Sequence, residues 1–185
     1  KHQWGVWNIT GEQVGTALQP AAKMGIAFFP DADHLLLGES DALATVDIAT
    51  GRTVREVPLG SHVNALALRS DGGPIAVAGE GIVWLLGSDA TVTATIHATP
   101  GDKGRAMQPA DPYLRVVRCV TFDDAGRVIF NDGVGVWRWD VKTDQVQGWD
   151  FPARTRLAMA GKLAYVLCNN DHVELLDPER PQETD

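Results

Sequence analysis

The sequence predicts an all-β chain built from four-stranded antiparallel units, and three observations predict it. First, an apolar stretch that ends in a polar residue, turns on Thr/Gly-type residues and resumes at a valine occurs four times. It reads "VWNITGEQVGTAL", "TVDIATGRTVREVPL", "WLLGSDATVTATI" and "WRWDVKTDQVQGW", and its valines Val14, Val54, Val92 and Val146 are 40, 38 and 54 positions apart. Second, an upstream pair of apolar stretches joined by a polar turn repeats on the same period, with Phe28, Leu68 and Phe122 separated by 40 and 54. Third, no segment sustains a 3.6-residue apolar pattern with caps, so helix is expected to be nearly absent. The runs are short, rich in β-branched and aromatic residues, and separated by Pro, Asp, Gly and Ser.

Each period therefore holds four strands, a to d in chain order, and four strands every 40 or so residues is the pattern of β-propeller blades. Residues 4–18 supply strands c and d of a first unit. A complete blade follows at 22–59, opening on "GIAFFPDADHLLLG", and a second at 63–98, opening on "ALALRSDGGPIAVAG". Residues 99–115, "TPGDKGRAMQPADPYLR", break the period in the link between one strand d and the next strand a. A third blade spans 116–151, from "CVTFDDAGRVIFND" through the Trp-rich c–d pair. Residues 156–177 then give strands a to c, "LAMAGKLAYVLCNN" being the degenerate a–b copy, and 178–185 form a polar tail with two prolines.

With 185 residues the chain is long enough for one domain with a continuous core. Its formal net charge of −8 argues against nucleic acid and anionic membrane as partners. No apolar run approaches the roughly 20 residues of a membrane span. Cys119 and Cys168 lie inside apolar runs, "VRCVTF" and "YVLCNN", and read as small buried hydrophobes in a reducing, cytoplasmic setting. With no CxxC and no paired histidines, a metal site is not expected, and no cofactor is implied.

The chain resembles the WD-repeat β-propeller family on particular residues. Trp139-Asp140 stands at the end of a strand c, with Trp7-Asn8, Val46-Asp47 and Leu176-Asp177 as weaker equivalents. "FFPDADH", "RSDGG" and "FDDAG" match the family's a–b turn, and "LGSHV" at 59–63 matches its Gly-His lead into a blade. An acidic residue six positions before the end of strand c recurs at Asp41, Glu80 and Asp171, where the family has a turn aspartate. The departures are one true Trp-Asp, one such histidine, and Leu85-Leu86 in place of Trp-Asp in the third unit. The resemblance implies that His62 hydrogen-bonds within its own blade, and that Asp47, Asp140 and Asp177 close strand c. It implies also that a last blade borrows its outermost strand from the domain's N-terminus. Because the chain opens at a strand c, about four to five blades of a seven-bladed ring are expected here. Two to three more would lie upstream or come from another chain, since an open ring exposes unpaired edges.

Candidate functional residues each have a structural reading beside the functional one. Trp137 and Trp139, two apart on one strand, share a face, and packing is the better account of them than a stacking platform. Trp84 is out of register with the Trp-Asp position and Trp149 sits late in strand d, so both are expected to be partly exposed. His2, His34, His97 and His172 fall in turns or at strand ends and read as surface. Asp41, Glu80 and Asp171 read as turn formers whose side chains bond their own backbone, in preference to a metal-binding ring of carboxylates. "DIATG" and "DVKT" partly match the motif of quinone-cofactor propellers but lack its tryptophan. The sharpest candidate is the 99–115 insertion, where Asp102, Lys103, Arg105, Met107, Tyr113 and Arg115 offer interface-type side chains on a loop. No catalytic array appears at a telling spacing. The expected function is a non-enzymatic scaffold or sensor propeller for protein partners, in a larger multidomain signalling protein. The alternative is a quinoprotein-like or hydrolytic propeller enzyme completed by further blades.

Overall fold

The computed structural model describes residues 4–7, 10, 12–18, 26–28, 31–69, 71–97, 116–132, 135–150, 156–160, 163–168 and 172–177. Among these residues there is no helix, and every sheet is antiparallel. The chain divides into two compact units, Lys1–Val63 and Asn64–Asp185.

The first unit holds a hairpin, β1 (Trp4–Trp7) with β2 (Gln13–Leu18), and a four-stranded sheet in chain order. That sheet is β3 (Ile26–Phe28), β4 (His34–Gly38), β5 (Ala42–Asp47) and β6 (Thr53–Pro58). The second unit repeats the arrangement with β7 (Ala65–Leu68), β8 (Ile75–Ala78), β9 (Ile82–Leu86) and β10 (Val92–His97). It continues with β11 (Cys119–Phe122), β12 (Val128–Asn131), β13 (Gly135–Asp140) and β14 (Gln145–Asp150). A three-stranded sheet, β15 (Arg156–Ala160), β16 (Leu163–Cys168) and β17 (His172–Leu176), follows.

Burial explains why the four strands of a sheet differ in sequence. The second strands are covered on both faces: Leu35, Leu36 and Leu37 in β4, all of β8, and all of β12 are buried. These strands accordingly read as unbroken apolar runs instead of alternating ones. The fourth strands lie at the sheet edge and alternate weakly, with Val54 57% and Val92 44% exposed. In the first unit Leu35, Leu37, Ala44, Val46 and Ile48 form one buried cluster. In the second unit β11 packs beside β7 and β8 of the preceding sheet and beside β15 of the following one.

Two main-chain devices recur with the period. Val63 donates its N–H to the Glu39 carbonyl, and Val117 donates to Gly79, both at 3.1 Å. Each valine is fully buried, so the peptide that follows a complete sheet is pinned to the end of that sheet's second strand. The third and fourth strands also share an irregularity. Residue Val54 lies between the Thr53–Val46 and Arg55–Thr45 pairs, and Thr93 between the Val92–Leu86 and Ala94–Leu85 pairs, as the extra residue of a bulge.

Candidate functional site

In an up-and-down sheet the b–c turns and the d–a links lie at one end, and the a–b and c–d turns at the other. The second end is built on aspartates. Asp47 Oδ1 accepts the Thr50 N–H at 2.7 Å and its hydroxyl at 2.6 Å; Asp89 does the same with Thr91, at 3.1 and 2.6 Å. Asp140 Oδ1 accepts from the N–H groups of Lys142 and Thr143. In the a–b turns Asp31 accepts the N–H of Asp33 and of His34, Asp71 that of Gly73, and Asp123 that of Arg127. Each side chain satisfies turn N–H groups that the ladder leaves over, which is why Asp recurs here.

The same contacts set the acidity of these groups. Hydrogen bonds from the Thr50 hydroxyl and then its N–H hold the Asp47 carboxyl below the usual carboxylate range, with a smaller contribution from His34. Asp71 is lowered by hydrogen bonding to the Arg69 guanidinium, and Arg69 is raised in turn. Burial pushes Asp31 up, but the Asp33 and His34 hydrogen bonds outweigh it and the net direction is down. At the opposite end Glu39 is raised, first by burial and then by the nearby charges of Glu56 and Asp41. A carboxyl lowered in the folded state adds stability above its unfolded pKa, and that stability is lost as pH falls through the folded pKa. Asp47→Asn is therefore expected to lower stability at neutral pH and to flatten the acid limb, the gap to the parent closing as pH falls below about 4. Urea midpoints measured across that range check it.

Trp139 is the centre of the third sheet's packing. It is 1% exposed, lies opposite Val128 on β12 and Val146 on β14, and donates Nε1 to Asp144 Oδ1 at 3.1 Å. Asp144 adopts φ 53°, the left-handed turn geometry that Asp tolerates. Trp137 shares the face of Trp139 and lies opposite Phe130 and Gly148. Its ring occupies the space above Gly148, where a Cβ would run into Cζ3 and Cε3. On the other face, Arg138 stacks 5.7 Å from the Trp149 ring centroid and donates to Gln147 Oε1 at 2.5 Å. Trp149 is 3% and Trp84 5% exposed, so both expectations of partial exposure are corrected. Trp149 lies opposite Val136 under the Arg138 guanidinium, and Trp84 lies between Val77 and Thr95.

Several other expectations are revised. The Asp41 side chain is exposed, and it is the Asp41 backbone carbonyl that works, accepting from Leu59 at 2.7 Å and Gly60 at 3.0 Å. Glu80 lies opposite Val116 in an antiparallel bridge at the turn that follows β8. His62 is half-buried, and no hydrogen bond joins its side chain to a described residue. The following sheet carries Leu85-Leu86 where the family's indole would anchor such a network. Cys119, expected buried, is half-buried at the start of β11. His34 faces Asp31, 3.0 Å from each carboxylate oxygen. Asp177 is half-buried after β17.

The insertion residues Asp102, Lys103, Arg105, Met107, Tyr113 and Arg115, together with Asp171 and His2, lie outside the described residues. The described flanks of the insertion are nevertheless informative. His97 pairs with Ile82 and Val116 with Glu80, so both anchors lie at the b–c end, on either side of Gly81. At ~5 Å per strand spacing they are within about 15 Å of each other. Among the described residues no group of three or more His, Cys, Asp or Glu is placed to hold a metal ion. No described helix is long and apolar enough to cross a membrane.

The sheets match those of solved propellers. The chain is similar to the WD40 β-propeller domain of Doa1, with TM-score 0.72 and 15% identity over 95% of this chain and 57% of that one. The fold is that of a β-propeller. A second similar structure is the β-propeller domain of Cps50 (Swd1) from Myceliophteria thermophila, TM-score 0.68, 12% identical, covering 86% of this chain and 53% of that one. The computationally designed Ika4 protein is similar too, with TM-score 0.68 and 14% identity over 90% of this chain and 98% of that chain. This chain thus spans little more than half of the two natural propeller domains. No family model and no curated protein matches it in sequence. Identities this low carry the fold alone, so the blades are established and a WD-repeat descent is not.

The propeller also accounts for two residues that sequence reasoning missed. Arg127 Nε donates to Asp123 Oδ2 at 2.6 Å across the a–b turn of the third full blade, where the Asp123 side chain is 4% and Arg127 20% exposed. Asp144 is the indole partner of Trp139. The spacing Asp-x-x-x-Arg around a Gly turn was a visible signal for the first; nothing local marked the second.

Proposed function

We propose that this propeller segment is a non-enzymatic platform for protein–protein interaction, a scaffold or sensor element of a larger signalling protein, with the 99–115 link as its contact loop. The observation that carries this reading is the anchoring of that link. A segment that breaks an otherwise 38- to 40-residue period leaves β10 and returns at Val116 on one end of one blade. Loops displayed from a rigid repeat are where such scaffolds place recognition. Arg105, Met107, Tyr113 and Arg115 are of the types that anchor interfaces. The acidic balance of the chain favours partners with basic surfaces and a cytoplasmic setting fits its thiols.

The test is replacement of residues 99–115 by a short Gly/Ser link. Far-ultraviolet dichroism and the thermal midpoint are expected to stay within a few degrees of the parent, because the anchors His97 and Val116 are retained. Capture of partners from a matched extract is expected to fall at least about tenfold, the equivalent of 1.4 kcal/mol or more of binding. Unchanged capture would remove the loop from the interface.

A further inference from the structure

We infer that the outer edge of β10 is a self-association site, pairing antiparallel with β10 of a second copy of this chain about a two-fold axis beside Thr95. The paired sheets would form one continuous eight-stranded sheet.

Edge strands present unpaired main-chain donors and acceptors, and proteins blunt them with charge, proline, glycine or bulges. Among the described blades, β6 is blunted by Arg55, Glu56 and Pro58. In β14 Gln147 is held by Arg138, Gly148 lies under Trp137, and the strand ends on Asp150. The β10 strand, "VTATIH", has no Lys, Arg, Asp, Glu, Pro or Gly. It has one described neighbour, β9, and Val92, Thr93, Thr95 and His97 are exposed. The bulge at Thr93 distorts only its first residues and leaves Ala94 to His97 in regular register with β9.

A two-fold axis makes the residue on it meet itself, which few exposed residues tolerate. Thr95 does, since Thr–Thr is a favourable cross-strand pair. The same register sets Ala94 against Ile96 of the second copy, small against large, and Thr93 against His97. No like charges cross the seam, although the two chains carry −8 each and repel at long range. A partner of opposite charge has nothing on this edge to recognise; a second neutral strand does. One short strand pair covers well under the roughly 1,000 Å² of a stable interface, so the association is weak and concentration-dependent. It stands independently of the loop function proposed above.

The experiment is amide hydrogen exchange with sedimentation on the 185-residue chain, from about 10 μM to about 1 mM and at low and high salt. Expected is a rise in mass with concentration, a matching rise in protection confined to residues 92–97, and stronger association at high salt as the net repulsion is screened. Thr95→Lys, which sets two ammonium groups face to face, should weaken it at least about tenfold. Thr95→Val, which keeps the strand propensity without charge, should retain it, and so separates charge from folding. A chain monomeric throughout, protection on another strand, or association indifferent to Thr95→Lys would each overturn the inference.

Discussion

Replacing Trp139 by alanine is expected to destabilise the second unit by about 3–5 kcal/mol, the largest effect of any single substitution argued for this chain. Trp139 is buried between Val128 and Val146, and truncation removes its whole ring from a site closed on both sides by neighbouring strands. The loss has two parts that two milder variants separate. Trp139→Phe keeps most of the buried area but leaves Asp144 without its indole donor, and should cost about 1–2 kcal/mol. Asp144→Gly removes the acceptor while easing the positive φ, and should cost less than Trp139→Phe. Urea unfolding read by dichroism measures all three, with lower midpoints and unchanged slopes expected. Against a typical total of roughly 5–15 kcal/mol, the alanine variant stands near the threshold of folding. A cost under about 1 kcal/mol would mean that the ring is not part of the packed core.

The second large effect is expected at Arg127. Its guanidinium covers a carboxylate, Asp123, that is almost wholly enclosed, and its backbone N–H binds the other oxygen of the same group. In Arg127→Met the aliphatic stem is kept and the charge is not, so the Asp123 carboxylate stays enclosed without its counter-ion. Removing one partner of a buried pair costs about 3–5 kcal/mol, and the residual exposure of Arg127 puts this case near the lower figure. The double variant Asp123→Asn/Arg127→Met removes both charges while the amide oxygen can still accept the backbone N–H. It should recover at least about half of the loss, a coupling that a double-mutant cycle reads directly. If the double variant is no more stable than Arg127→Met, the pair is not what holds the turn.

These two sites differ in how far the sequence announces them. The Trp-Asp pair at 139–140 stands out, and packing as the better account of its ring follows from the strand repeat. Its hydrogen-bond partner does not follow, because Asp140 caps the turn while Asp144, four residues on, takes the indole through a left-handed backbone that no pattern encodes. The first b–c turn shows the same limit in reverse. Asp41 was legible as a turn residue, yet its contacts with Leu59 and Gly60 are made by its backbone carbonyl, which any residue carries. Trp84 and Trp149 lie in strands whose own sequences suggest partial exposure. They are buried because neighbouring strands and the Arg138 side chain cover them.

What the sequence by itself determined is everything of short range that repeats. Strand-length apolar runs, Asp- and Gly-bearing turns and the 38- to 40-residue period depend on residues within a few positions of one another, so they can be read in order along the chain. Only the tertiary structure decided which faces are covered and which partners meet. Arg69, in the a–b turn of one blade, lies against Gly126 in the a–b turn of the next, where a Cβ would come within 2.6 Å of its Nη1. That contact joins residues more than fifty positions apart, and period-2 patterning cannot specify it. In the second unit β8 and β12 are buried along their whole length, and β11 packs beside β7 and β8 of the preceding sheet, an arrangement that packing sets.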